Sequence, residues 1–577
     1  MVLNRTISQN RTGFSSPTAR NPARNPLFPW PLLIIMAAAT AVVVPFLFLG
    51  NPSGHDFEFH LNSWMEVLGQ WKQGIVYPRW AALAQWGYGD ARFIFYPPIS
   101  WMAGAALGAV LPWKTVPGAY VWVALTLSGC SMFLLAREWL NYRDAVFAAA
   151  VYAANPYYIV TAYWRSAFAE LLAGALLPLL LLCALRAEKH GRKVIVPLAV
   201  IVAGAWLTNV PAAVMVTYSL GLLFAVVAMQ QRSLRVLWCG ASAVLLGGAL
   251  AAFYIFPAAY EQRWVNIAQV LSPGVRPLDN FLFTNTGDGD HDRFNLLISL
   301  VASAEVLIFA VGACFPRRWL SASADGRADS VFRKGLVVWA VAAILLMFSF
   351  TSQAWENLPE LRFVQFPWRW LLCVNAALAL LLATTWKRWP WRLLFWLAPF
   401  LVAAVSWPGV ARPSWQGTTD IAKMLHHQRS GQGYESVDEY VPAGGDAYEI
   451  KQDAPLVALE DDGPAQSDIQ QWSAESRVFE VHADQAETLV LRLFYYPAWR
   501  VEVTGRVTAV ETEPTTGQMM VPIQAGENQV RITFTRTWDR TAAGIVSMVT
   551  LLALLITVLT DRAQPRGTQR SQRIGLN

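Results

Sequence analysis

Residues 51–71 combine acidic and histidine side chains of the kinds that transfer protons or bind cations in active sites. The segment reads NPSGHDFEFHLNSWMEVLGQW and directly follows an apolar stretch long enough to cross a bilayer. It carries His55, Asp56, Glu58 and His60 within six residues. Asp56 and His60 are four residues apart, so they would share one face of a helix. We therefore take this cluster as the first candidate site.

The residues after the cluster predict a helix that lies in the membrane interface. Leu61, Trp64, Met65, Leu68 and Trp71 recur at helical spacing, and polar residues occupy the other side. Two interpretations of the cluster are open: it could form a functional site, or its side chains could simply cap this helix. A cap needs one such residue, whereas the segment has four, which favours a functional cluster.

A second group of candidates follows in YPRWAALAQWGYGDARFIFYPPISW, which contains Arg79, Arg92 and Tyr96. A guanidinium group binds phosphate oxygens in pairs, so arginines among aromatic residues at a membrane surface suit a lipid phosphate. Anchoring of the loop to anionic lipid headgroups is an equal alternative.

Two further segments place ionisable side chains near the ends of apolar helices. YWRSAFAELLAG contains Arg165 and Glu170, and LPELRFVQFPWRWLL contains Arg362 and Arg369. Ionisable groups at such depth usually face a cavity or a partner, which makes all four candidate substrate contacts. The alternative is a structural Arg165–Glu170 pair, with the other arginines reaching the interface.

The composition is that of a polytopic membrane protein, which excludes a soluble enzyme with a single anchor. Of the 577 residues, 55% are apolar and 15% are charged. We predict a mainly α fold of about 12–13 membrane helices. Apolar runs of spanning length lie near 29–49, 117–136, 145–163, 168–185, 194–209, 212–229, 236–257, 294–315, 335–350, 367–385, 391–408 and 542–560.

The run at 98–112 is shorter than a typical membrane span. The distribution of basic residues decides whether we assign it as a crossing. If it is re-entrant or interfacial, the basic loops fall on the same side as the basic N-terminus, as the positive-inside rule requires. The segments 1–28 and 561–577 are then cytoplasmic. The membrane domain covers 29–408, and its outer loops lie at 50–116, 258–293 and 351–366. A basic balance of this kind reflects cytoplasmic loops, not nucleic-acid binding.

The C-terminal part has the character of an extracytoplasmic domain. Residues 411–540 contain 20 acidic and 11 basic side chains. From about 475 the sequence alternates apolar and polar residues between Gly, Pro and Asn turns, which predicts a small β-sandwich. We therefore predict an outer domain at 409–541, tethered by a last transmembrane helix at 542–560.

Four motifs carry a resemblance to a known family. They are GHDFEFHLNSWMEVLGQWKQGIVYPRWAALAQWGYGDARFIFYPPISW, YWRSAFAELLAG, QFPWRW and the terminal YYPAWRVEVTGR. Together they resemble the bacterial membrane-protein family labelled 6-pyruvoyl-tetrahydropterin synthase-related. Soluble pterin synthases use a His-ligated zinc site, and nothing in this sequence resembles one.

That family is similar, more distantly, to the GT-C glycosyltransferases. The resemblance implies a long outer loop with an early essential acid, a polyprenyl-phosphate-linked sugar donor and an outer C-terminal domain. By position the essential acid corresponds to Asp56, with Glu58 as a second acid. In GT-C enzymes the two acids are often adjacent, whereas here they are separated by Phe57.

The resemblance implies a membrane glycosyltransferase in the inner membrane of a bacterial cell envelope. Asp56 would act as general base or, with Glu58, as ligand of a divalent cation such as Mg²⁺ or Mn²⁺, and no other cofactor is expected. Glu58 and His60 would orient Asp56. The expected partners are the bilayer and a lipid-linked sugar donor, with an acceptor that the sequence does not identify.

The donor phosphate would be held by Arg165, Arg362 or Arg369. Two other classes of protein stay open at this point. One is a non-catalytic transporter or scaffold for lipid-linked glycans, in which the arginines would line a path. The other is a structural envelope protein whose outer domain binds a partner.

Overall fold

The computed structural model describes residues 30–314, 326–385, 388–410, 415–460, 463 and 465–563. The basic ends at 1–28 and 564–577 lie outside this range. Within the described residues, nine helices are long and apolar enough to cross a membrane, and eleven if each of two bent helix pairs counts as one span. The predicted polytopic, mainly helical membrane fold is confirmed.

The first half of the chain contains a run of helices interrupted by short turns. They are α1 Trp30–Leu49, α2 Phe57–Lys72, α3 Ala84–Gly87, α4 Arg92–Phe95, α5 Pro98–Val110, α6 Val116–Ala136, α7 Tyr142–Ala153, α8 Pro156–Val160, α9 Phe168–Ala173, α10 Leu176–His190, α11 Ile195–Thr208, α12 Val210–Gln231, α13 Arg235–Leu250 and α14 Ala252–Glu261.

The second half adds five longer helices and two shorter ones. They are α15 Gly289–Cys314, α16 Gly326–Leu345, α17 Ser352–Asn357, α18 Leu371–Thr385, α19 Trp389–Val410, α20 Thr418–Ser430 and α21 Trp538–Ala563. The last of these contains the predicted C-terminal span.

Two of the predicted spans are bent. The apolar run at 236–257 becomes Arg235–Leu250 followed by Ala252–Trp264, with a 75° bend between them. The run at 335–350 becomes Arg333–Leu345 and Ser349–Asn357, bent by 95°. Hydropathy records how apolar a segment is and not its direction, so the sequence gives no sign of either bend.

The short run at 98–112 forms α5, a helix of 13 residues. A helix of this length extends about 20 Å, less than the roughly 30 Å of a hydrocarbon core. It packs against α2 and α6. Its re-entrant or interfacial character stays a prediction.

Helix α2 differs from the predicted interfacial helix on its polar side. Asn62, Ser63, Glu66 and Gln70 are all buried, as are Leu61, Trp64 and Met65 of the opposite face. The reason is that other segments pack on this side: Gln428 of α20 donates to the Asn62 carbonyl at 2.9 Å, and Tyr434 donates to Glu66 at 2.6 Å. Periodicity marks the polar face of a helix but not what covers it.

The predicted C-terminal β-rich region is confirmed as two antiparallel sheets. Its strands are β3 Val457–Leu459, β4 Ser467–Trp472, β5 Ser476–Ala483, β6 Glu487–Phe494, β7 Trp499–Val503, β8 Arg506–Val507, β9 Glu511–Thr512, β10 Gln518–Ile523 and β11 Gly526–Phe534, after an isolated pair, β1 Asn51–Pro52 and β2 Trp415–Gln416. One sheet has the order β3-β6-β10-β9 and the other β4-β5-β11-β7-β8.

The β-region and the membrane bundle share a core. Trp80 and Tyr88, from the segment after α2, belong to the same buried cluster as Phe479, Leu491 and Val530 of the sheets. This shared packing fixes the β-region against the end of the bundle that carries Asp56, where β1 pairs with β2.

An ion pair joins the last helix to the same interface. Arg540 donates two hydrogen bonds of 2.7 Å to the carboxylate of Glu261, and the Tyr496 hydroxyl donates to it at 2.6 Å. All three side chains are buried. The helix α21 is therefore locked to both α14 and the β-region.

Candidate functional site

The backbone around Asp56 is held against the turn that follows a π-helical segment, Thr161–Arg165. The Asp56 amide donates to the carbonyl of Arg165 at 2.8 Å, and the Gly54 amide donates to the Ser166 hydroxyl at 3.1 Å. Ser166 has a left-handed φ of 50°. The approach is so close that a Cβ on Gly54 would lie 2.6 Å from the Ser166 nitrogen.

Four charged side chains then form a continuous series, which we call the charge chain: Asp56, Arg165, Glu170 and Arg369. Arg165 lies 3.4 Å from the Asp56 carboxylate and donates to Glu170 at 2.7 Å. Arg369 donates to the same Glu170 oxygen at 3.1 Å. Two cations and two carboxylates balance in charge, as buried ionisable groups require.

Exposure changes along the charge chain. The Asp56 side chain is 36% exposed, whereas Arg165, Glu170 and Arg369 are 7%, 1% and 6% exposed. Asp56 is therefore the end of the chain that a ligand can reach. Glu170 and Arg369 can affect that ligand through their electrostatic field and by holding Arg165 in place.

The buried members are held by groups that the sequence did not indicate. The Tyr157 hydroxyl donates to the second oxygen of Glu170. Arg369 also donates to the Val364 carbonyl at 2.6 Å and to the Gln365 side chain at 3.2 Å. The only sign of Tyr157 in the sequence is a tyrosine inside an apolar run, and no spacing links it to Glu170.

Aromatic rings cover the guanidinium groups. Arg165 lies 4.9 Å from the ring centre of Phe366 and 5.3 Å from that of Trp368, and Arg369 lies 4.6 Å from Phe366. The motif QFPWRW thus supplies both an arginine and the rings that shield it. Such contacts exclude water and strengthen the electrostatic interactions of the chain.

His60 lies beside Asp56 in a nearly dry environment. Its Nε2 atom has no hydrogen-bond partner among the described residues, and the side chain is 1% exposed. Burial lowers the His60 pKa to about 4, the Asp56 charge opposes this shift, and the Arg165 charge adds to it. The imidazole is therefore neutral at pH 7.

Tyr96 packs against the same histidine, with ring centres 5.7 Å apart. Burial raises the Tyr96 pKa well above its usual value, so the hydroxyl keeps its proton. The Asp56 charge also raises it, which puts Tyr96 in the electrostatic surroundings of the charge chain. The predicted site residues that the structure brings into one region are thus Asp56, His60, Tyr96, Arg165, Glu170 and Arg369.

Two residues of the opening cluster face away from this region. Glu58 is exposed and accepts a hydrogen bond of 3.4 Å from Gln416. His55 is exposed as well, and its backbone amide donates to the Trp164 carbonyl at 3.3 Å. Neither side chain contacts the charge chain.

The remaining predicted arginines also lie elsewhere. Arg92 forms a buried two-pronged pair with Asp90, at 3.1 and 2.9 Å. Arg79 stacks 4.3 Å from the ring centre of Tyr77, and Arg362 is exposed beside Phe363. The structure does not bring these three arginines to Asp56.

A metal ion does not fit the carboxylates that the sequence singled out. In the described part of the chain, no three His, Cys, Asp or Glu side chains are placed to hold one. Glu58 points to Gln416, and Arg165 lies against Asp56 where a cation would bind. A single carboxylate beside an arginine is a poor ligand set for a divalent cation.

Comparison with known families decides the relationship of the chain. A model of the family described as 6-pyruvoyl-tetrahydropterin synthase related domain, membrane protein, matches residues 93–411. The chain belongs to this family. The matched segment of this PTPS-related family contains Arg165, Glu170 and Arg369, whereas Asp56 lies before its first residue. A comparison with curated proteins found no match.

A search of solved structures matched the chain, at low identity, to an oligosaccharyltransferase and to ArnT. The apo Archaeoglobus fulgidus oligosaccharyltransferase is 13% identical with a TM-score of 0.39, and the alignment covers 73% of the PTPS-related chain but only 62% of the archaeal one. ArnT from Cupriavidus metallidurans, bound to undecaprenyl phosphate, is 14% identical with a TM-score of 0.39, over 70% and 73% of the two chains. No site residue follows from similarity at this level.

Proposed function

We propose that this protein is a glycosyltransferase that takes a sugar from a polyprenyl-phosphate-linked donor at the extracytoplasmic membrane surface. The observation that carries the proposal is the partly exposed Asp56 carboxylate at the end of a buried, charge-balanced chain of arginines and glutamate. A catalytic acid or base needs access to substrate together with a fixed environment, and Asp56 has both.

In the proposed reaction Asp56 is the general base. It accepts the proton of an acceptor hydroxyl as that oxygen forms a bond to the anomeric carbon of the donor sugar. The bond from this carbon to the phosphate oxygen breaks, and its electron pair leaves with the polyprenyl phosphate. Arg165, next to Asp56, stabilises the negative charge that develops on the phosphate.

His60 and Tyr96 act as neutral polar groups at this centre. Neither imidazole nor phenol is charged at pH 7, because burial disfavours the charged form of each. Both can therefore orient a sugar hydroxyl or a phosphate oxygen by hydrogen bonding. Arg369 is a positioning residue that fixes Glu170, which in turn fixes Arg165.

The proposal contains no metal step, because Asp56 and Glu58 do not point to one place. Treatment with EDTA tests this part directly. We expect transfer to continue after EDTA, and a loss that Mg²⁺ or Mn²⁺ restores would contradict it.

The proposed location is the inner membrane of a bacterial cell, with both termini cytoplasmic. It is supported by the basic loops, which fall on one side when 98–112 does not cross. On this topology Asp56 and the β-region face the periplasm, where polyprenyl-linked sugars are presented. Labelling of introduced cysteines from outside intact cells tests this orientation.

A transporter or scaffold for lipid-linked glycans is the second candidate. It is favoured by one observation, which is that Asp56 already pairs with Arg165 and so has a structural role without acting as a base. In that case polyprenyl phosphate would bind without turnover.

The deciding experiment compares Asp56→Asn with the wild type in purified protein reconstituted in lipid nanodiscs. Undecaprenyl-phosphate hexoses with a radiolabelled sugar are supplied together with an extract of bacterial envelope as a source of acceptors, and release of undecaprenyl phosphate is measured. We expect Asp56→Asn to lower release by at least 10²-fold. The matched control is Asp290→Asn, an exposed aspartate in the first turn of α15. Equal release by wild type and Asp56→Asn, with both above a protein-free blank, would contradict the assignment of Asp56 as general base.

A further inference from the structure

A cavity of about 650 Å³ lies apart from the charge chain, between α2, α20 and the β-region. Glu66 forms part of its wall and lies roughly 15 Å further along α2 than Asp56, at the usual helical rise. The volume is in the range of small-molecule binding sites. It is therefore a second place where this protein could hold a ligand.

Arg477 lies in the wall of this cavity, where its guanidinium carbon is 5.5 Å from the ring centre of Trp472 and 4.8 Å from that of Trp499. Its side chain is 1% exposed, and its one hydrogen bond goes from NH1 to the Ala474 carbonyl at 2.8 Å. Its Nε has no partner among the described residues, and it forms no ion pair there. A buried guanidinium group is costly unless an anion or several acceptors meet it.

The nearest carboxylates do not fill this role. Glu66 and Glu475 lie in the electrostatic surroundings of Arg477, but neither pairs with it. Glu66 instead accepts from the Tyr434 hydroxyl at 2.6 Å and from the Leu83 amide at 3.1 Å. Neither carboxylate therefore accepts a hydrogen bond from the Arg477 guanidinium group.

A second polar atom in the wall is also unsatisfied. Gln70 donates to the Trp80 carbonyl at 2.8 Å, but its Oε1 atom has no partner within the described ranges. The side chain is 2% exposed. An amide oxygen of this kind accepts a hydrogen bond from a hydroxyl group.

Aromatic and basic side chains complete the wall. Trp113 and Trp472 both line the cavity, and indole rings pack well on the apolar faces of sugar rings. Lys72 and Arg429 add positive charge. With Arg477 they outnumber the one carboxylate in the wall, that of Glu66, whose pKa is raised by burial to about 7.

We propose that this cavity binds a saccharide that carries a carboxylate. The carboxylate faces Arg477, a hydroxyl donates to Gln70, and the sugar rings lie against the two tryptophans. This binding needs no glycosyl transfer, so it is independent of the function proposed for Asp56.

The test is a ligand-observed NMR titration of the full chain in detergent, with three probes that share one ring. They are glucuronic acid, glucose and glucose 6-phosphate, each at up to about 10 mM, where a millimolar Kd is still measurable. We expect saturable binding of glucuronic acid at least tenfold tighter than that of either other probe. Equal binding of glucose, tighter binding of glucose 6-phosphate, or no binding of glucuronic acid would each overturn the proposal.

Two variants locate the binding. Arg477→Gln removes the charge, and Gly69→Phe places a ring in the cavity from a helix position where an added Cβ meets no atom within 4 Å. We expect at least a tenfold loss of glucuronic acid binding in each. Gly69→Ala and Arg500→Gln, an exposed arginine of the same β-region, are the controls. If Arg477→Gln does not fold, Gly69→Phe decides, and unchanged binding in that variant would contradict the site.

Discussion

The Asp56 carboxylate lies 3.4 Å from the guanidinium group of Arg165, although the two residues are 109 positions apart in the chain. The contact depends on a backbone pairing in which the Asp56 amide donates to the Arg165 carbonyl. Main chain and side chains therefore hold the same two residues together. Any change that shifts one of the two paired segments moves Asp56 relative to the buried charges.

Replacement of Gly54 should disturb this pairing. In Gly54→Ala the new Cβ would approach the Arg165 carbonyl carbon and the Ser166 nitrogen to 2.6 Å, so the loop must move. We expect a loss of about 1–3 kcal/mol in the free energy of unfolding, together with a loss of activity. Thermal unfolding in detergent measures the first quantity. Gly69→Ala is the control, because its Cβ meets open space and should cost nothing.

Removal of the Glu170 charge should destabilise the bundle. Glu170→Gln leaves two buried arginines and one carboxylate, that of Asp56, which contacts Arg165 but not Arg369. We expect a loss of about 3–5 kcal/mol in the free energy of unfolding, typical of a broken buried pair. Glu356→Gln, on an exposed side chain, should change it by less than about 0.5 kcal/mol. Equal stability of both variants would contradict a structural role for Glu170.

The Tyr157 hydroxyl should contribute less to the free energy of unfolding than the charged side chains near it. Tyr157→Phe removes one hydrogen bond to Glu170 and keeps the ring. We expect a loss of about 1.5–3 kcal/mol, the range for hydrogen bonds to charged groups. Tyr142→Phe is the matched control, because Tyr142 is exposed and its hydroxyl has no hydrogen-bond partner in the described part of the chain. A loss no larger than that of the control would show that Glu170 does not depend on Tyr157.

His60 should make stability depend on pH. Its folded pKa of about 4 lies below the ordinary value of 6.5, so the unfolded state takes up a proton first as the pH falls. The stabilisation is fully present above pH 6.5 and is lost between about 6.5 and 4. Down to pH 5 this amounts to about 2 kcal/mol.

The measurement compares thermal unfolding at pH 7.5 and pH 5 in the wild type and in His60→Gln, so that other titrating groups cancel. We expect the variant to lose less stability on acidification than the wild type. His426→Gln, on an exposed histidine, should behave as the wild type does. Identical pH dependence in all three proteins would contradict a buried, neutral His60.

Much of this architecture could be predicted from local patterns. Hydropathy identified the membrane helices, because a bilayer imposes a length and an apolar composition on each span. Alternation identified the strands after about 475, since a sheet with one buried face imposes a period of two, but it missed β3 and β4, which precede that position. The acidic cluster at 55–60 drew attention to Asp56 because its composition is unusual for a membrane boundary.

The partners of these residues could not be predicted in the same way. Arg165 and Arg369 looked equivalent to Arg92 and Arg362, yet the structure gives Arg92 a local partner, Asp90, and leaves Arg362 exposed. Glu170 meets Arg369 across 199 positions, and no spacing rule reaches that far. Similarly, the polar face of α2 became buried because α20 and remote residues such as Tyr434 pack against it.

The amino-acid order alone specified a polytopic membrane bundle, a C-terminal β-region and a set of chemistry-bearing residues, because each of these depends on neighbouring positions. Only the tertiary structure selected Asp56, Arg165, Glu170 and Arg369 from that set. Ionic contacts need atoms within about 4 Å, and such distances between remote segments are set by how helices pack and not by their separation in the chain.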